Sequence, residues 1–163
     1  MKTLWIIIVS VGFSLVVSIP ALSQNTDKKQ TEDIVAIQQV RAELDSAWNR
    51  HDAAALGELF LDNADFQWHT GELLKNRIEI EKYFGETVFK NIPAVYHHNT
   101  TFQRIRFLDT DIAIGDGTII VSREGAPENE QPFLSVLFTC VGKKEKGKWY
   151  IAAARLMQVN REQ

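Results

Sequence analysis

Apolar residues recur at helical spacing near the start of the chain. Thr31 is a suitable N-cap, and the stripe that follows it ends in a large aromatic residue; its members are Ile34, Ile37, Val40 or Arg41, Leu44 and Trp48. The polar corner 49–51 interrupts the pattern. Asp52 is then placed to cap a second helix, which the Ala- and Leu-rich composition predicts over 53–61.

The pattern changes from helical spacing to alternation further along the chain. A strand is predicted at 65–69, with Phe66 and Trp68 on one face, and Asn76 opens a capping box for a third helix. Alternating segments separated by turns then predict two hairpins, with strands at 100–108, 112–122, 133–141 and 148–157. Three helices followed by antiparallel strands predict an α+β fold.

The first 23 residues have the pattern of a secretory signal peptide. Lys2 precedes an apolar run at 4–17, and Ala21-Leu22-Ser23 is a small-x-small cleavage site, so cleavage is predicted after Ser23. Pro20 and this triplet argue against the alternative, an uncleaved membrane anchor. The mature protein is therefore expected to be secreted or periplasmic, with no stable membrane anchor and a flexible lead-in at 24–30.

Charge and cysteine content narrow the possible partners. Removal of Lys2 would leave 17 basic against 21 acidic side chains, which argues against nucleic acid as a partner. Cys140 is the single cysteine, so no intramolecular disulfide can form, and its apolar neighbours indicate a core position. The four histidines lack metal-ligand spacing and no nucleotide-binding fingerprint is present, so neither a metal nor a cofactor is predicted.

An ordered set of short motifs runs through the chain: Trp48-Asn49-x-x-Asp52-Ala53, Leu59-Phe60, Asp65-Phe66, Ile105-Arg106-Phe107-Leu108-x-x-Asp111-Ile112-Ala113 and Gly147-Lys148-Trp149-Tyr150-Ile151-Ala152-Ala153. Together they resemble the SnoaL-like, SgcJ/EcaC-type members of the nuclear-transport-factor-2-like superfamily. The resemblance implies one domain over 31–160, a curved antiparallel sheet wrapped around three N-terminal helices in a cystatin-like cone, and usually a homodimer. It does not imply one activity, because relatives include isomerases, cyclases, hydratases and binding modules.

Two positions depart from the family pattern and carry the predicted chemistry. Asp116 lies in an apolar strand, where partial burial would suit its carboxyl group to acid/base work if its face lines the cone; alternatively, it hydrogen-bonds the local backbone of a Gly-Asp-Gly bulge. Arg155 stands where many relatives have His. It would pair with Asp116 or anchor an acidic ligand, unless it extends to solvent at the strand end.

Aromatic residues and histidines supply the other candidate ligand contacts. The predicted pocket wall contains Trp48, Phe66, Trp68, Tyr83 and Phe84, although spacing alone would also place these residues in a plain core. Either His69 or His98 is a candidate pocket base, and His98 is assigned to the ligand site. Two functions are predicted. The first is an exported domain that either binds a small, largely apolar ligand or also catalyses its isomerisation, cyclisation or hydration. The second is a non-catalytic dimeric module with a filled cone that docks a partner protein.

Overall fold

The computed structural model describes residues 22–127 and 129–158. Helix α1 spans Leu22–Asn49 and begins nine residues before the predicted cap at Thr31, so the predicted lead-in at 24–30 is helical rather than irregular. This difference has a simple origin, because no Gly or Pro lies between Pro20 and Gly57 to end a helix. Nearly all of the predicted signal peptide (residues 1–21) and the end of the predicted domain (159–160) lie outside the described residues.

The second helix is shorter than predicted. Helix α2 spans Ala53–Gly57 and is capped as expected, because the Asp52 carboxylate accepts a 2.9 Å hydrogen bond from the backbone of Ala55. Strand β1 (Phe60–Gln67) then begins where the sequence predicted helix. Long-range hydrogen bonds explain why this segment is a strand rather than a helix. Arg77 donates to the Phe60 carbonyl at 2.7 and 3.0 Å, and these contacts hold the segment in the sheet.

The third helix begins at the predicted cap but is not uniform. After the two-residue strand β2 (Leu73–Leu74), the Asn76 side chain accepts from Glu79 at 2.9 Å and starts helix α3, Arg77–Tyr83. The chain continues as a π-helical turn, Phe84–Val88, and a short final helix, α4, at Phe89–Asn91. This continuous segment packs along one side of the core and provides Phe84 to it.

Four long strands complete the sheet: β3 Tyr96–Asp109, β4 Ile112–Arg123, β5 Leu134–Glu145 and β6 Lys148–Gln158. The strand order is β2-β1-β6-β5-β4-β3. The α+β class and the curved sheet around three helices are confirmed, with one refinement: β1 runs parallel to β6, so the sheet is mixed rather than wholly antiparallel.

The inner face of the sheet packs against the helices, and the outer face is turned away from them. On β4, the inner positions are Ala113, Gly115, Gly117, Ile119 and Val121, all buried. The long strands contain three β-bulges, at Gln103 and Leu108 on β3 and at Ala152 on β6. Gln103 on β3 has no partner on β4, and Ala152 on β6 has none on β5, so the alternation of side chains shifts by one residue beyond each bulge.

Candidate active site

The inner face of the sheet and helix α1 enclose a cavity of about 100 Å³. Its walls are mainly apolar and aromatic, and they are formed by α1, α2, the segment around Phe84 and every strand except β2. The residues that line it include Ile37, Val40, Leu44, Trp48, Phe60, Phe66, Trp68, Phe84, Phe102, Ile105, Ile119, Phe138, Trp149, Tyr150, Ile151 and Leu156. The polar side chains of Arg41, His98 and Thr100 reach the same space from α1 and β3.

A histidine–aspartate pair lies at the cavity wall. The Nδ1 atom of His98 is 2.7 Å from Oδ1 of Asp45, and both groups are withdrawn from solvent, with side-chain exposures of 3% and 14%. A carboxylate only accepts hydrogen bonds, so Nδ1 is assigned the proton of the neutral ring. This tautomer leaves Nε2, on the opposite edge of the ring, with the free lone pair that a general base requires.

The Asp45 carboxylate is held by donors on both of its oxygens. Thr100 donates from its hydroxyl to Oδ1 at 2.7 Å and from its backbone to Oδ2 at 3.2 Å. Arg41, one helical turn earlier, donates to Oδ2 at 3.1 Å. With the His98 contact, four donors therefore fix the orientation of this carboxylate, and the carboxylate in turn fixes the imidazole.

Further hydrogen bonds join the same face of helix α1 to the backbone of strand β3. Asn49 accepts from the backbone N–H of His98 at 2.7 Å and donates to its carbonyl at 3.3 Å. Arg41 donates to the carbonyl of Thr100 at 3.0 Å. Arg41, Asp45 and Asn49 are spaced by four residues and lie on one face of α1, so one helix face binds both site residues of β3.

The base also has an aromatic neighbour. The indole of Trp48, one turn after Leu44 on α1, lies against the ring of His98 with centroids 4.6 Å apart and an angle of 30° between the planes. Trp48 is buried and contacts Trp68, Phe84 and Phe89 on its other sides. The imidazole is therefore held both through its Nδ1 atom and through one face.

Cys140 also lines the cavity but is chemically inert there. Burial raises the pKa of its thiol to about 12, so the neutral form prevails across the ordinary pH range. The prediction of a small core cysteine agrees with this environment.

Most of the aromatic and histidine residues predicted as ligand contacts line the cavity. Trp48, Phe66, Trp68, Phe84 and His98 all line the cavity, whereas Tyr83 does not and packs behind Trp68 with ring centroids 6.2 Å apart. His69, the other candidate base, is not among the lining residues, and burial lowers its pKa.

Asp116 lies on the outer face of the sheet and not in the cone. It shares that face with Ile114, Thr118 and Ile120, whereas the cavity is lined by its neighbour Gly115. The carboxylate accepts a 2.7 Å hydrogen bond from the Thr139 hydroxyl on the adjacent strand. The prediction that its face lines the pocket is therefore wrong, because the odd-numbered positions of β4 face inward.

Arg155 also lies on the outer face. Counting alternate positions from Trp149 predicted an inward side chain, but the bulge at Ala152 reverses the alternation, so that Ala154 and Leu156 face inward instead. Arg155 pairs with Asp65 at 2.6 Å and not with Asp116. The hydrogen bond from Arg155 lowers the pKa of the Asp65 carboxyl, and both side chains are more than a third exposed.

The sequence reasoning did not identify Asp45 or the site role of Arg41. The available signal was the spacing of Arg41, Asp45 and Asn49, which places three polar groups in line beside the apolar stripe of α1. That spacing alone is also typical of a solvated helix face. The structure distinguishes the two cases because β3 covers this face.

Among residues 22–127 and 129–158, no cluster of three or more His, Cys, Asp or Glu side chains is placed to hold a metal ion. In the same part of the chain, no helix combines the length and apolar character needed to cross a membrane.

Comparison with known proteins identifies the family. The SnoaL-like domain model matches residues 29–155, so the chain belongs to the SnoaL-like family of the nuclear-transport-factor-2-like superfamily. A search of curated proteins finds no match.

Solved structures share the fold at low sequence identity. A domain with a cystatin-like fold from Nostoc punctiforme is 22% identical, with a TM-score of 0.69 and 80% of each chain covered. The hexachlorocyclohexane dehydrochlorinase LinA-type3 from Novosphingobium barchaimii is 16% identical, with a TM-score of 0.69, 83% of this chain and 91% of the other covered. A protein provisionally named scytalone dehydratase from Novosphingobium aromaticivorans is 13% identical, with a TM-score of 0.70 and 82% and 88% covered.

Proposed function

We propose that the protein is an acid–base enzyme that removes a proton from carbon in a small, largely apolar substrate and eliminates a leaving group. One observation carries this proposal: the buried His98–Asp45 pair, 2.7 Å apart, lies at the wall of a mainly apolar cavity. Buried polar side chains converging on an apolar pocket are the usual arrangement of an active site.

The roles of the residues follow from the hydrogen bonds. His98 is the general base and accepts the substrate proton at Nε2. Asp45 is a positioning residue, which keeps the Nδ1 proton in place and stabilises the imidazolium that forms. The apolar walls exclude water and strengthen both interactions in the cavity.

The names of two structural neighbours agree with this reaction class. A dehydrochlorinase removes hydrogen chloride and a dehydratase removes water, and both reactions are eliminations. At 13–16% identity these neighbours support the fold, and the reaction is proposed for this chain from the His98–Asp45 geometry.

The cavity volume limits the substrate. The cavity measures about 100 Å³, and an engineered apolar cavity of about 150 Å³ holds benzene. A single small ring therefore fits after a modest movement of the aromatic walls.

Ring opening of 1,2-benzisoxazole tests the base directly. In this elimination the C3–H proton is removed, the N–O bond breaks, and a coloured or ultraviolet-absorbing 2-cyanophenolate forms. His98→Asn retains an amide that can bond Asp45 but removes Nε2, so we expect a rate loss of about 10²–10⁴.

The neighbouring residue provides a matched control. His97 is 41% exposed at the side chain and contacts Glu124 outside the cavity, so His97→Asn should leave the rate unchanged. Equal rates for His98→Asn and the parent protein would rule out His98 as the base.

We further propose that the enzyme is a homodimer formed through the outer face of the sheet. Three exposed apolar side chains, Ile120, Leu137 and Met157, lie on adjacent strands of that face, and Leu137 is directly opposite Met157 in the β5–β6 register. Apolar patches that span neighbouring strands favour association. Sedimentation should show a dimer at micromolar concentration and a monomer for Leu137→Lys, whereas a parent protein that sediments only as a monomer would refute the dimer.

We also propose that the protein is exported, with cleavage after Ser23, from the signal pattern of residues 1–23. Cleavage there would remove only Leu22 and Ser23 from α1. The intact mass of protein recovered from outside the cytoplasm tests this cleavage site, and a retained residue 1–23 mass would contradict it.

A further inference from the structure

Arg41 occupies the cavity wall beside the proposed base. Its Nε atom donates to Gln38 at 2.9 Å and its Nη1 atom donates to Asp45 and to the Thr100 carbonyl. Its side chain is 28% exposed. A guanidinium has five N–H donors, so the Nη2 group is available for a further acceptor.

The charges around the cavity nearly cancel before reaction. Among the lining residues that the structure describes, Arg41 alone carries a permanent charge, and the Asp45 carboxylate 3.1 Å away balances it. With His98 neutral, the group of three has no net charge. An anionic substrate would therefore lose its hydration in an apolar cavity without meeting a net positive charge.

Proton removal changes this balance. Once His98 has taken the substrate proton, Arg41, Asp45 and His98 together carry one positive charge. We propose that the substrate is an uncharged molecule with an electronegative leaving group on the carbon or heteroatom next to the acidic carbon, and that Arg41 Nη2 binds the departing anion. This inference rests on the proposed function of His98.

The step balances in atoms and electrons. The C–H proton moves to Nε2 of His98, and the C–H electron pair forms the new π bond. The bond to the leaving group breaks, and its electron pair leaves on that group as an anion. A hydrogen bond from Arg41 stabilises this developing charge more in the transition state than in the ground state, which is the condition for a rate effect.

A leaving-group series tests the role of Arg41. 1,2-Benzisoxazoles with ring substituents of increasing electron withdrawal release progressively better phenolate leaving groups. For Arg41→Gln, we expect a loss of about 10²–10³ on the poorest leaving group and a much smaller loss on the best, because a poor leaving group depends most on the donor. Arg41→Lys should recover part of the loss, and Arg50→Gln, a variant of an exposed arginine in the turn just after α1, should match the parent.

The outcomes separate the two proposals. A uniform loss across the series in Arg41→Gln would show a structural role and overturn the inference, while His98 could still be the base. A parent rate equal to that of His98→Asn on every member would instead refute the proposed function.

Discussion

Asp45→Asn separates the chemical role of the carboxylate from its structural role. Four donors surround Asp45, two at each oxygen. An amide can accept at only one of these ends. The backbone N–H of Thr100 and the guanidinium of Arg41 cannot become acceptors, so the amide oxygen should occupy the Oδ2 position. The amide nitrogen then faces the Thr100 hydroxyl and the His98 ring.

Both of those groups can adapt, but His98 does so at the expense of its function. The hydroxyl rotates to accept a hydrogen bond, and the imidazole moves its proton from Nδ1 to Nε2 so that Nδ1 can accept. The two bonds at Oδ2 change from charged to neutral acceptors and lose about 1 kcal/mol each. We therefore expect a loss of about 2 kcal/mol in the free energy of unfolding, together with a rate loss of about 10²–10⁴ because Nε2 no longer has a lone pair.

The measurements address each consequence separately. Urea unfolding gives the stability loss, 1,2-benzisoxazole turnover gives the rate, and long-range ¹⁵N–¹H correlation spectra of the imidazole show which nitrogen carries the proton. Asp52→Asn is the control, since Asn caps a helix as well as Asp and Asp52 does not contact His98. A folded Asp45→Asn variant with the parent rate, or with the imidazole proton still on Nδ1, would show that Asp45 does not set the tautomer of the base.

Two further predictions concern the cavity wall and the hydrogen bond between Asp33 and Lys144. A Cβ added at Gly115 would overlap the Phe102 ring, so Gly115→Ala should lower the free energy of unfolding by about 1–3 kcal/mol. A Cβ at Gly142 makes only ordinary contacts, so Gly142→Ala should lower that free energy less. Equal losses of the two variants in urea unfolding would contradict this prediction. Burial alone would raise the pKa of Asp33, but hydrogen bonds from Lys144 and Trp149, together with the positive charges of Lys144 and Lys29, bring the pKa below that of an ordinary aspartate. Since the folded-state pKa is the lower one, this stabilisation is fully present above the ordinary aspartate value and is lost as the pH falls from that value through the folded-state pKa. The thermal midpoint of Asp33→Asn should therefore depend less on pH between about 5 and 2. An unchanged pH dependence would contradict the assignment.

Helix starts were predictable because their signals are local. The caps at Asp52 and Asn76 need only a side-chain oxygen and an N–H three residues later, and both hydrogen bonds are present. The end of α2 was not predictable in this way. Arg77, seventeen residues further along the chain, donates a hydrogen bond to the Phe60 carbonyl and holds that residue in strand β1 instead of helix α2.

The prediction of the candidate site depended on the alternation of side chains along regular strands, and this alternation is reversed at a bulge. Trp149 and Arg155 are six residues apart and would share a face in a regular strand. The extra residue at Ala152 places them on opposite faces, so a cavity arginine was predicted in the wrong place. The aromatic wall was easier to predict because Trp48 lies on a helix, and Phe66 and Trp68 are two residues apart beyond the irregularity between Phe60 and Asp65.

The alignment of α1 along β3 has a consequence for solubility. β3 is the last strand of the sheet, and its free edge would present unpaired N–H and C=O groups to any other extended chain. At His98 and Thr100 those groups are already bonded to side chains of the helix, and beyond the bulge the exposed Arg104 and Arg106 discourage a neighbouring strand. The polar residues of α1 that orient the base, Arg41, Asp45 and Asn49, therefore also prevent another chain from pairing with this edge. Their loss would favour aggregation as well as inactivation.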